Sequence, residues 1–382
     1  MDALAAYDEV TDGLRRPVRV AELVYAAAER SGGELPTRAE INAERERLQK
    51  DKLGLEIAQG EFVARVLADE RRGTHLLRSM AEPTAAALAA LPEFRRTGGA
   101  DLGPMRVDRD GPVGTVTIQN HAYLNSEDDV STAAMEVAID LVLLDDAIEI
   151  GVLRGAPAVH AKYVGRRIFG AGINLTHLYH GRIALVEFMI ERELGGVHKL
   201  YRGHPLGAIA DGDLEERREK PWIAAVESFA IGGACQWLLV MDRVVSERAA
   251  YFNLPARKEG IVPGAANLRL PRFVGNRPTR RAIFFNHAFA ADSPEGRQLA
   301  DELVDDDAEM SEAIARAAAE LTSAGTISLV ANRRLLRAGQ EPLAAFRTYM
   351  AGYAREQARC LYSPALIDNL ERNWDARNRR TA

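Results

Sequence analysis

Two glycine-containing segments about sixty residues apart could each present a backbone N–H group to a ligand. They are residues 169–175, of sequence FGAGINL, and residues 230–236, of sequence AIGGACQ, and each follows a run typical of a β-strand. Glycine has no Cβ, so the backbone can approach a ligand closely there. Two N–H donors that converge on one carbonyl oxygen form an oxyanion hole, which stabilises negative charge on a thioester or amide. The two segments therefore predict enolate or acyl chemistry.

The composition is that of an ordinary soluble globular protein. The chain has 382 residues, 47% of them hydrophobic and 27% charged, and this length allows two or three structural units. A net charge of -6 gives no basic surface for nucleic acid. No apolar run approaches the roughly 20 residues that span a bilayer, and the N-terminal segment lacks the features of a signal peptide. We therefore expect a cytoplasmic protein.

The motifs disfavour several kinds of cofactor site. No glycine-rich nucleotide fingerprint is present, and none of the eight histidines is followed two residues later by an acid, as in a recognisable two-histidine, one-carboxylate iron site. Cys235 and Cys360 are too few for a disulfide framework or a cysteine-rich zinc site. His177 and His180 have no visible third ligand, so a surface feature is favoured over a metal pair. Packing explains Cys235 better than a nucleophilic role does.

The sequence pattern divides the chain into three regions. Residues 1–103 have the pattern of a helical N-terminal domain, in which Thr37 and Glu40 predict a capping box. Glycines and a proline near residue 100 mark the boundary. Residues 104–289 form the predicted core with the site, and residues 290–382 form a helical C-terminal region that ends in a polar tail.

Strand and helix patterns alternate within the core. Residues 105–118 predict a hairpin around a turn at Asp110 and Gly111. In the C-terminal region, helices are predicted at residues 311–321 and 329–337. Further strands of the core are predicted at residues 148–154, 167–169 and 222–227, and its helices at residues 128–145, 182–200 and 233–241. This alternation is typical of an α/β fold with crossover connections.

Four motifs, taken in order, resemble the enoyl-CoA hydratase (crotonase) superfamily over residues 105–310. They are VTIQN at 116–120 followed by Leu124 and Asn125, the segment at 169–174, residues 225–236 followed by Asp242, and GIVPG at 260–264. The resemblance implies a crotonase-like spiral of ββα units with a helical C-terminal trimerisation region, and hence a homo-oligomer, either trimer or hexamer. It also implies an oxyanion hole for an acyl-CoA thioester, formed by the N–H groups of Ile173 and Gly233.

The chain departs from the hydratases of that superfamily at the two acidic positions. Those enzymes use two glutamates as acid and base, and the motifs place Gln236 and Ala256 at the matching positions. Neither side chain transfers protons at neutral pH. Simple hydration is therefore disfavoured, and a substrate whose enolate forms easily is favoured.

Together with the helical N-terminal extension, these departures resemble the cofactor-independent dioxygenase branch of the superfamily. The branch implies conversion of 3,5-dihydroxyphenylacetyl-CoA and O2 to 3,5-dihydroxyphenylglyoxylate and free CoA, without metal or cofactor, in the dihydroxyphenylglycine pathway of antibiotic biosynthesis. By this resemblance Glu127, Arg192 and Gln236 bind the ring hydroxyls. Ile173 and Ile261 form an apolar pocket for dioxygen.

The residues themselves leave alternatives open. Arg192 lies on an apolar helical stripe, where it binds a ligand or pairs with a glutamate of the same helix. Glu127 stands at a helix start, where the helix dipole alone favours an acid. Arg166 and Arg167 are candidates for the CoA phosphates, and solvent-facing strand positions explain them equally well.

Two other functions remain compatible with the sequence. The first is a crotonase-type acyl-CoA hydratase, isomerase or thioesterase, which would turn over without oxygen. The second is a non-catalytic acyl-CoA-binding protein, which the missing glutamates suggest. The sequence does not identify the base that removes the Cα proton.

Overall fold

The computed structural model describes residues 1–207, 213, 215–323 and 325–374. Its strands are β1 (Gly99–Asp101), β2 (Met105–Asp110), β3 (Val113–Ile118), β4 (Ile150–Gly155), β5 (His204–Pro205), β6 (Arg217–Arg218), β7 (Trp222–Val226), β8 (Phe229–Ile231), β9 (Arg243–Glu247), β10 (Tyr251–Asn253), β11 (Phe289–Ala290) and β12 (Glu302–Val304).

The helices outnumber the strands. Up to the main sheet they are α1 (Ala3–Val10), α2 (Val20–Ala28), α3 (Arg38–Arg45), α4 (Glu56–Ala68), α5 (Glu70–Met80) and α6 (Ala85–Thr97). The later ones are α7 (Asp129–Leu144), α8 (Leu175–Tyr179), α9 (His198–Arg202), α10 (Gly233–Leu238), α11 (Ala256–Glu259), α12 (Ala266–Val274), α13 (Asn276–Phe285), α14 (Asp307–Thr322), α15 (Thr326–Gln340), α16 (Leu343–Leu361) and α17 (Pro364–Asp368). Leu185–Ile190, Glu193–Val197 and Asn369–Asn373 are π-helical.

The predicted hairpin opens a seven-stranded sheet. Strands β2 and β3 pair antiparallel with Asp110 opposite Val113, and the sheet order is β1-β2-β3-β4-β7-β9-β12. From β3 onward the strands run parallel. Parallel strands covered on both faces are apolar along their whole length, and β7 is buried at every residue. The α/β core is thus confirmed.

A smaller sheet includes the start of the second glycine-containing segment, Ala230 and Ile231. It contains β8, β10 and β11, with β8 parallel and β11 antiparallel to β10. The predicted strand at residues 167–169 does not form, because this stretch passes from one sheet to the other. It makes only isolated bridges, from Arg167 to Pro157 and from Gly170 to Ala230.

The N-terminal helices share a hydrophobic core with the C-terminal part of the chain. Residues of α1, α2, α4 and α5 pack with Leu185, Phe188 and Ile190 and with the buried face of α16. The capping box at Thr37 and Glu40 is confirmed. Helix α6 instead packs against the main sheet and α7, and β1 pairs with β2. The strand just before the proposed boundary at residue 103 therefore belongs to the core sheet.

The sequence pattern does not reveal α16, because polar residues lie on its buried face. Arg347 donates from Nη1 to the carbonyl of Leu67 at 2.6 Å, and the Oε1 of Gln357 accepts from the Val262 N–H at 2.8 Å. These bonds engage the Arg347 Nη1 and the Gln357 Oε1, whereas the Arg347 Nε and the Gln357 Nε2 are buried without a partner among the described residues. Both polar side chains interrupt the apolar period in the sequence. The predicted polar tail lies beyond residue 374, outside the described part of the chain.

We predict that the contact between α4 and α16 tolerates no extra methyl group. A Cβ on Gly60 would lie 2.5 Å from the Ala358 Cβ, so Gly60→Ala should destabilise the protein by about 1–3 kcal/mol. Gly352 is the matched control, since nothing lies within 4 Å of its added Cβ, and Gly352→Ala should stabilise by about 0.5–1 kcal/mol. Denaturant midpoints measure both changes, and equal midpoints would contradict the packing described.

Candidate active site

The two glycine-containing segments lie side by side. Gly170 donates to the Phe229 carbonyl, and Ile231 donates back to the Gly170 carbonyl at 3.0 Å. The two segments stay close at the next glycines, since a Cβ added to Gly232 would lie 3.4 Å from the Cα of Gly172. Both of these glycines have positive φ values, 81° for Gly172 and 54° for Gly232, which other residues rarely adopt.

Each segment contains one backbone N–H group that donates no hydrogen bond to another described residue. Ile173 forms a parallel bridge with Glu127, but its flanking residues make the two hydrogen bonds of that bridge, both at 2.7 Å. Gly233 is the first residue of α10, where a helix N–H has no partner in its own helix. Within the described residues, neither N–H meets an acceptor. The pair has the composition of an oxyanion hole.

The predicted site residues line one cavity of about 460 Å³. Its walls include Glu127, Ile173, Phe188, Met189, Arg192, Glu193, Gly232, Gly233, Gln236, Leu254, Pro255, Ala256, Glu259, Ile261, Val262, Pro263, Gly264 and Tyr353. The structure therefore brings to one cavity the residues predicted to bind the ring, to form the oxyanion hole and to form the oxygen pocket.

The buried guanidinium of Arg192 connects the polar side chains of this cavity. Its Nη2 lies 3.0 Å from the Glu127 Oε1, and its Nη1 lies 2.6 Å from the Glu193 Oε1 and 3.3 Å from the Gln236 Oε1. Burial acts to lower the pKa of Arg192, but the carboxylates of Glu127 and Glu193 outweigh it and raise the pKa. The ion pair with a glutamate of the same helix is present, with Glu193 as the partner, and the role of Arg192 in binding a ligand stays a prediction for a residue that lines the cavity.

A tryptophan fixes the far side of this cluster. The Trp237 Nε1 donates to the Glu127 Oε1 at 2.7 Å, and the Arg192 guanidinium lies 4.9 Å from the Trp237 ring centre. The cluster contains two carboxylates and one guanidinium, so one negative charge is left uncompensated. A ligand that donates hydrogen bonds, such as a phenol, complements such a site.

The helical turns that present Arg192 are not regular. Residues 185–197 contain two π-helical segments with Glu191 and Arg192 between them. Such segments are frequent at functional sites, since the wider turn changes the direction of the side chains. Phe188, Met189 and Arg192 all reach the cavity from this stretch. A helical stretch is thus present where one is predicted at residues 182–200, but most of it is π-helical rather than α-helical.

The positions of the two missing glutamates also face the cavity. Gln236 is 9% exposed and Ala256 is 3% exposed, and both are lining residues. The cavity therefore offers an amide and a methyl group where hydratases of the superfamily would present an acid and a base. Around Ile261 the wall is apolar, formed by Val262, Pro263 and Leu254.

A second, larger cavity opens beside the first and measures about 1520 Å³. The two cavities share Ile173, Pro255 and Glu259. Tyr163, Tyr251 and Lys258 are among the residues that line the larger one. The connected pair can hold a small acyl group in the inner cavity and a long carrier in the outer one.

The two arginines suggested for CoA phosphates lie elsewhere. Arg166 faces Glu247 at 3.4 Å, and Arg167 pairs with Asp307 at 2.9 Å. Neither lines the two connected cavities. Lys258 is the basic residue that the outer cavity presents instead, next to the shared residue Glu259.

The histidine pair has contacts of its own. The Nδ1 of His177 lies 3.1 Å from the Asp128 carboxylate, and its Nε2 lies 3.1 Å from the Tyr123 hydroxyl. Throughout the described ranges, no group of three or more His, Cys, Asp or Glu side chains is placed to hold a metal ion. Over the same ranges, no helix is both long and apolar enough to cross a membrane.

Some cavity residues were missed or given another role by the sequence analysis. Trp237 and Glu193 reach the site by contact with Glu127 and Arg192, which sequence spacing does not show. Tyr353 comes from α16, a helix that the pattern does not predict. Glu259 had an available signal, since it is an acid beside the GIVPG motif, directly before Gly260.

Comparisons with known proteins agree with this geometry. A family model described as enoyl-CoA hydratase/isomerase matches residues 214–352. The crystal structure of enoyl-CoA hydratase from Bacillus halodurans superposes with a TM-score of 0.57 at 19% identity, over 70% of this chain and 99% of that chain. Short-chain-enoyl-CoA hydratase from Clostridium acetobutylicum is 26% identical over 50% of this chain and 65% of its own.

A longer match settles the assignment to a family. The chain belongs to the enoyl-CoA hydratase/isomerase (crotonase) superfamily, as its motifs predict. Within it, the chain is 46% identical over 362 residues to (3,5-dihydroxyphenyl)acetyl-CoA 1,2-dioxygenase from Amycolatopsis orientalis, a match that covers 94% of this chain and 82% of the relative. Since only 6% of this chain lies outside the match, most of the N-terminal helical region is included.

The two cysteines should differ in reactivity. Cys235 is buried beside the oxyanion segment, and burial raises the pKa of its thiol to about 12, so no thiolate is available at neutral pH. Cys360 is partly exposed and serves as the internal control. Iodoacetamide should label Cys360 in the folded protein and Cys235 only after denaturation, as mass spectrometry of peptides would show. Labelling of Cys235 in the native protein would contradict its packing role.

Proposed function

We propose that the protein is a dioxygenase that converts 3,5-dihydroxyphenylacetyl-CoA and O2 to 3,5-dihydroxyphenylglyoxylate and free CoA. One observation carries this proposal. Ile173 and Gly233 share a cavity with the Glu127–Arg192–Gln236 cluster, and the two acidic positions of a hydratase hold Gln236 and Ala256 in that cavity. The 46% identical dioxygenase from Amycolatopsis orientalis supports the same reaction.

The oxyanion hole prepares the substrate for loss of a Cα proton. The thioester oxygen accepts hydrogen bonds from Ile173 and Gly233, which strengthen as negative charge develops on it. Each donor of this kind lowers a barrier by about 3–4 kcal/mol. The resulting enolate is delocalised over the thioester and the aromatic ring.

The polar cluster orients the ring. Phenolic O–H groups donate to the Glu127 carboxylate, and Gln236 both donates and accepts through its amide. Arg192 holds these acceptors in place through its contacts of 2.6–3.3 Å with Glu127, Glu193 and Gln236. The ring therefore binds with one face of the enolate towards the apolar wall at Ile173 and Ile261.

Dioxygen binds against that apolar wall and reacts with the enolate. Transfer of one electron from the enolate to O2, followed by recombination of the two radicals, places a peroxide on Cα. The peroxide attacks the thioester carbonyl and displaces CoA. Both atoms of O2 remain in the arylglyoxylate. The enolate is itself the reductant, so this route uses no metal or organic cofactor.

The remaining assignments complete the proposal. We place the CoA carrier in the outer cavity near Lys258. A homo-oligomer, trimer or hexamer, is supported by exposed apolar residues of the C-terminal region, since Ile327, Leu335 and Leu336 on α15 are 89%, 64% and 61% exposed. The enzyme acts in the cytoplasm, where CoA thioesters are made, and in antibiotic biosynthesis.

Oxygen consumption tests the reaction directly. Metal-chelated enzyme should consume one O2 for each CoA released from 3,5-dihydroxyphenylacetyl-CoA, with an oxygen electrode and a thiol reagent as the two measurements. Full CoA release under argon would contradict the dioxygenase and favour a thioesterase. Conversion to a hydrated or isomerised thioester would favour an ordinary member of the superfamily, and no turnover at all would favour a binding protein.

Ring selectivity tests the role of the polar cluster. Phenylacetyl-CoA lacks both hydroxyls and would leave buried polar groups unpaired, so its kcat/KM should be at least about 100-fold lower than that of the dihydroxy substrate. Gln236→Leu removes one of those polar groups and should narrow this ratio. Ala122→Ser, in the outer cavity wall, is the control and should leave the ratio unchanged. If the two kcat/KM values were nearly equal in the unaltered protein, the cluster would not discriminate between the hydroxylated and the unsubstituted ring.

A further inference from the structure

Three carboxylates line the inner cavity, and only one of them is not engaged by another side chain. Glu127 and Glu193 both form ion pairs with Arg192, so each already has a structural partner. The Glu259 carboxylate has no hydrogen bond or ion pair among the described residues, and the charge that acts on it is the neighbouring Lys258. Glu259 is therefore a carboxylate in the cavity wall without a structural task.

Glu259 also occupies a particular place in the wall. It is one of the residues shared by the inner and outer cavities, and Ile173 is another. If the Ile173 N–H holds the thioester oxygen, the carbonyl carbon lies at this junction, with the ring on the inner side and the CoA sulfur on the outer side. The Cα atom is bonded to that carbonyl carbon, so it also lies at the junction.

We propose that Glu259 is the catalytic base that removes the Cα proton of the acyl-CoA substrate. This inference rests on the proposed dioxygenase function and supplies the residue that the sequence does not identify. Another group of the outer cavity, His160, is less suited, since its Nδ1 already accepts a hydrogen bond from the Lys162 N–H at 3.2 Å. His160 also does not line the inner cavity.

The acidity of Glu259 suits this task. Burial raises the pKa of its carboxyl to about 7, although Lys258 acts to lower it. A group with this pKa is present at neutral pH as both carboxylate and acid, which is the condition for efficient general acid–base catalysis. Its side chain is partly exposed because it faces the two cavities, while the surrounding protein still desolvates it.

The proposed step balances in protons and electrons. The Glu259 carboxylate takes the first Cα proton, and the electron pair of the broken C–H bond becomes the enolate that O2 oxidises. When the peroxide closes on the thioester carbonyl, the C–S bond breaks and protonated Glu259 delivers its proton to the CoA thiolate. The regenerated carboxylate then takes the second Cα proton as the O–O bond of the peroxylactone breaks and the ketone forms, and it releases this proton to solvent before the next turnover.

Hydrogen exchange without oxygen isolates the first of these transfers. Under argon in deuterated buffer, the unaltered protein should exchange the Cα hydrogens of 3,5-dihydroxyphenylacetyl-CoA, as proton NMR would show. Glu259→Gln should slow this exchange at least about 100-fold, with the affinity for the thioester changed less than about threefold. The matched control is Glu149→Gln, the same replacement at an exposed position outside both cavities, and it should exchange at the unaltered rate.

A second variant keeps the test decisive if Glu259→Gln does not fold. Glu259→Asp keeps the carboxylate but withdraws it by one methylene, and exchange should fall about tenfold at unchanged affinity. Exchange at the unaltered rate in either folded variant would overturn the assignment of Glu259. An unaltered protein that neither exchanges the Cα hydrogens nor consumes oxygen would instead overturn the dioxygenase function, so the two failures are distinguishable.

Discussion

The arrangement of the site depends on the burial of one guanidinium. Arg192 is 4% exposed, and a buried cation is tolerated only when charged and polar partners replace its water. Glu127, Glu193 and Gln236 supply those partners from three different parts of the chain. Removing Glu127 or Glu193 would leave the Arg192 guanidinium with one carboxylate partner, and removing Gln236 would take away a neutral acceptor. The same requirement that keeps Arg192 stable thus fixes the positions of the groups that meet the substrate ring.

The proposed oxyanion hole has a different origin, which is backbone geometry. Gly172 and Gly232 contact each other and both have positive φ. Side chains at these positions would separate the segments and turn their following N–H groups apart. The electrostatic half of the site is therefore set by the absence of side chains, and the ring-binding half by a dense cluster of them. Because different parts of the structure form these two halves, substitutions can change which ring is bound without changing the acyl chemistry.

Local patterns in the sequence predict much of this structure. The hairpin at residues 105–118, the parallel core and the two oxyanion segments depend on neighbouring residues, and their motifs stand at short spacing. The motifs also predict that Gln236 and Ala256 stand where hydratases of the superfamily have glutamates. The pairing of Glu127 with Arg192 joins residues 65 apart, and no periodicity records such a contact. Helix α16 is not predicted because Arg347 and Gln357, which are buried with backbone partners, interrupt its apolar period.

The packing of α16 has a consequence for radical chemistry. Tyr353 of this helix forms part of the cavity wall, and the opposite contact of α16, at Ala358, rests on Gly60 of the N-terminal region. The two ends of the chain thus pack together behind the part of the wall that Tyr353 forms. In the proposed mechanism, superoxide and a carbon radical recombine before either escapes, and the N-terminal helices would support the wall beside that pair.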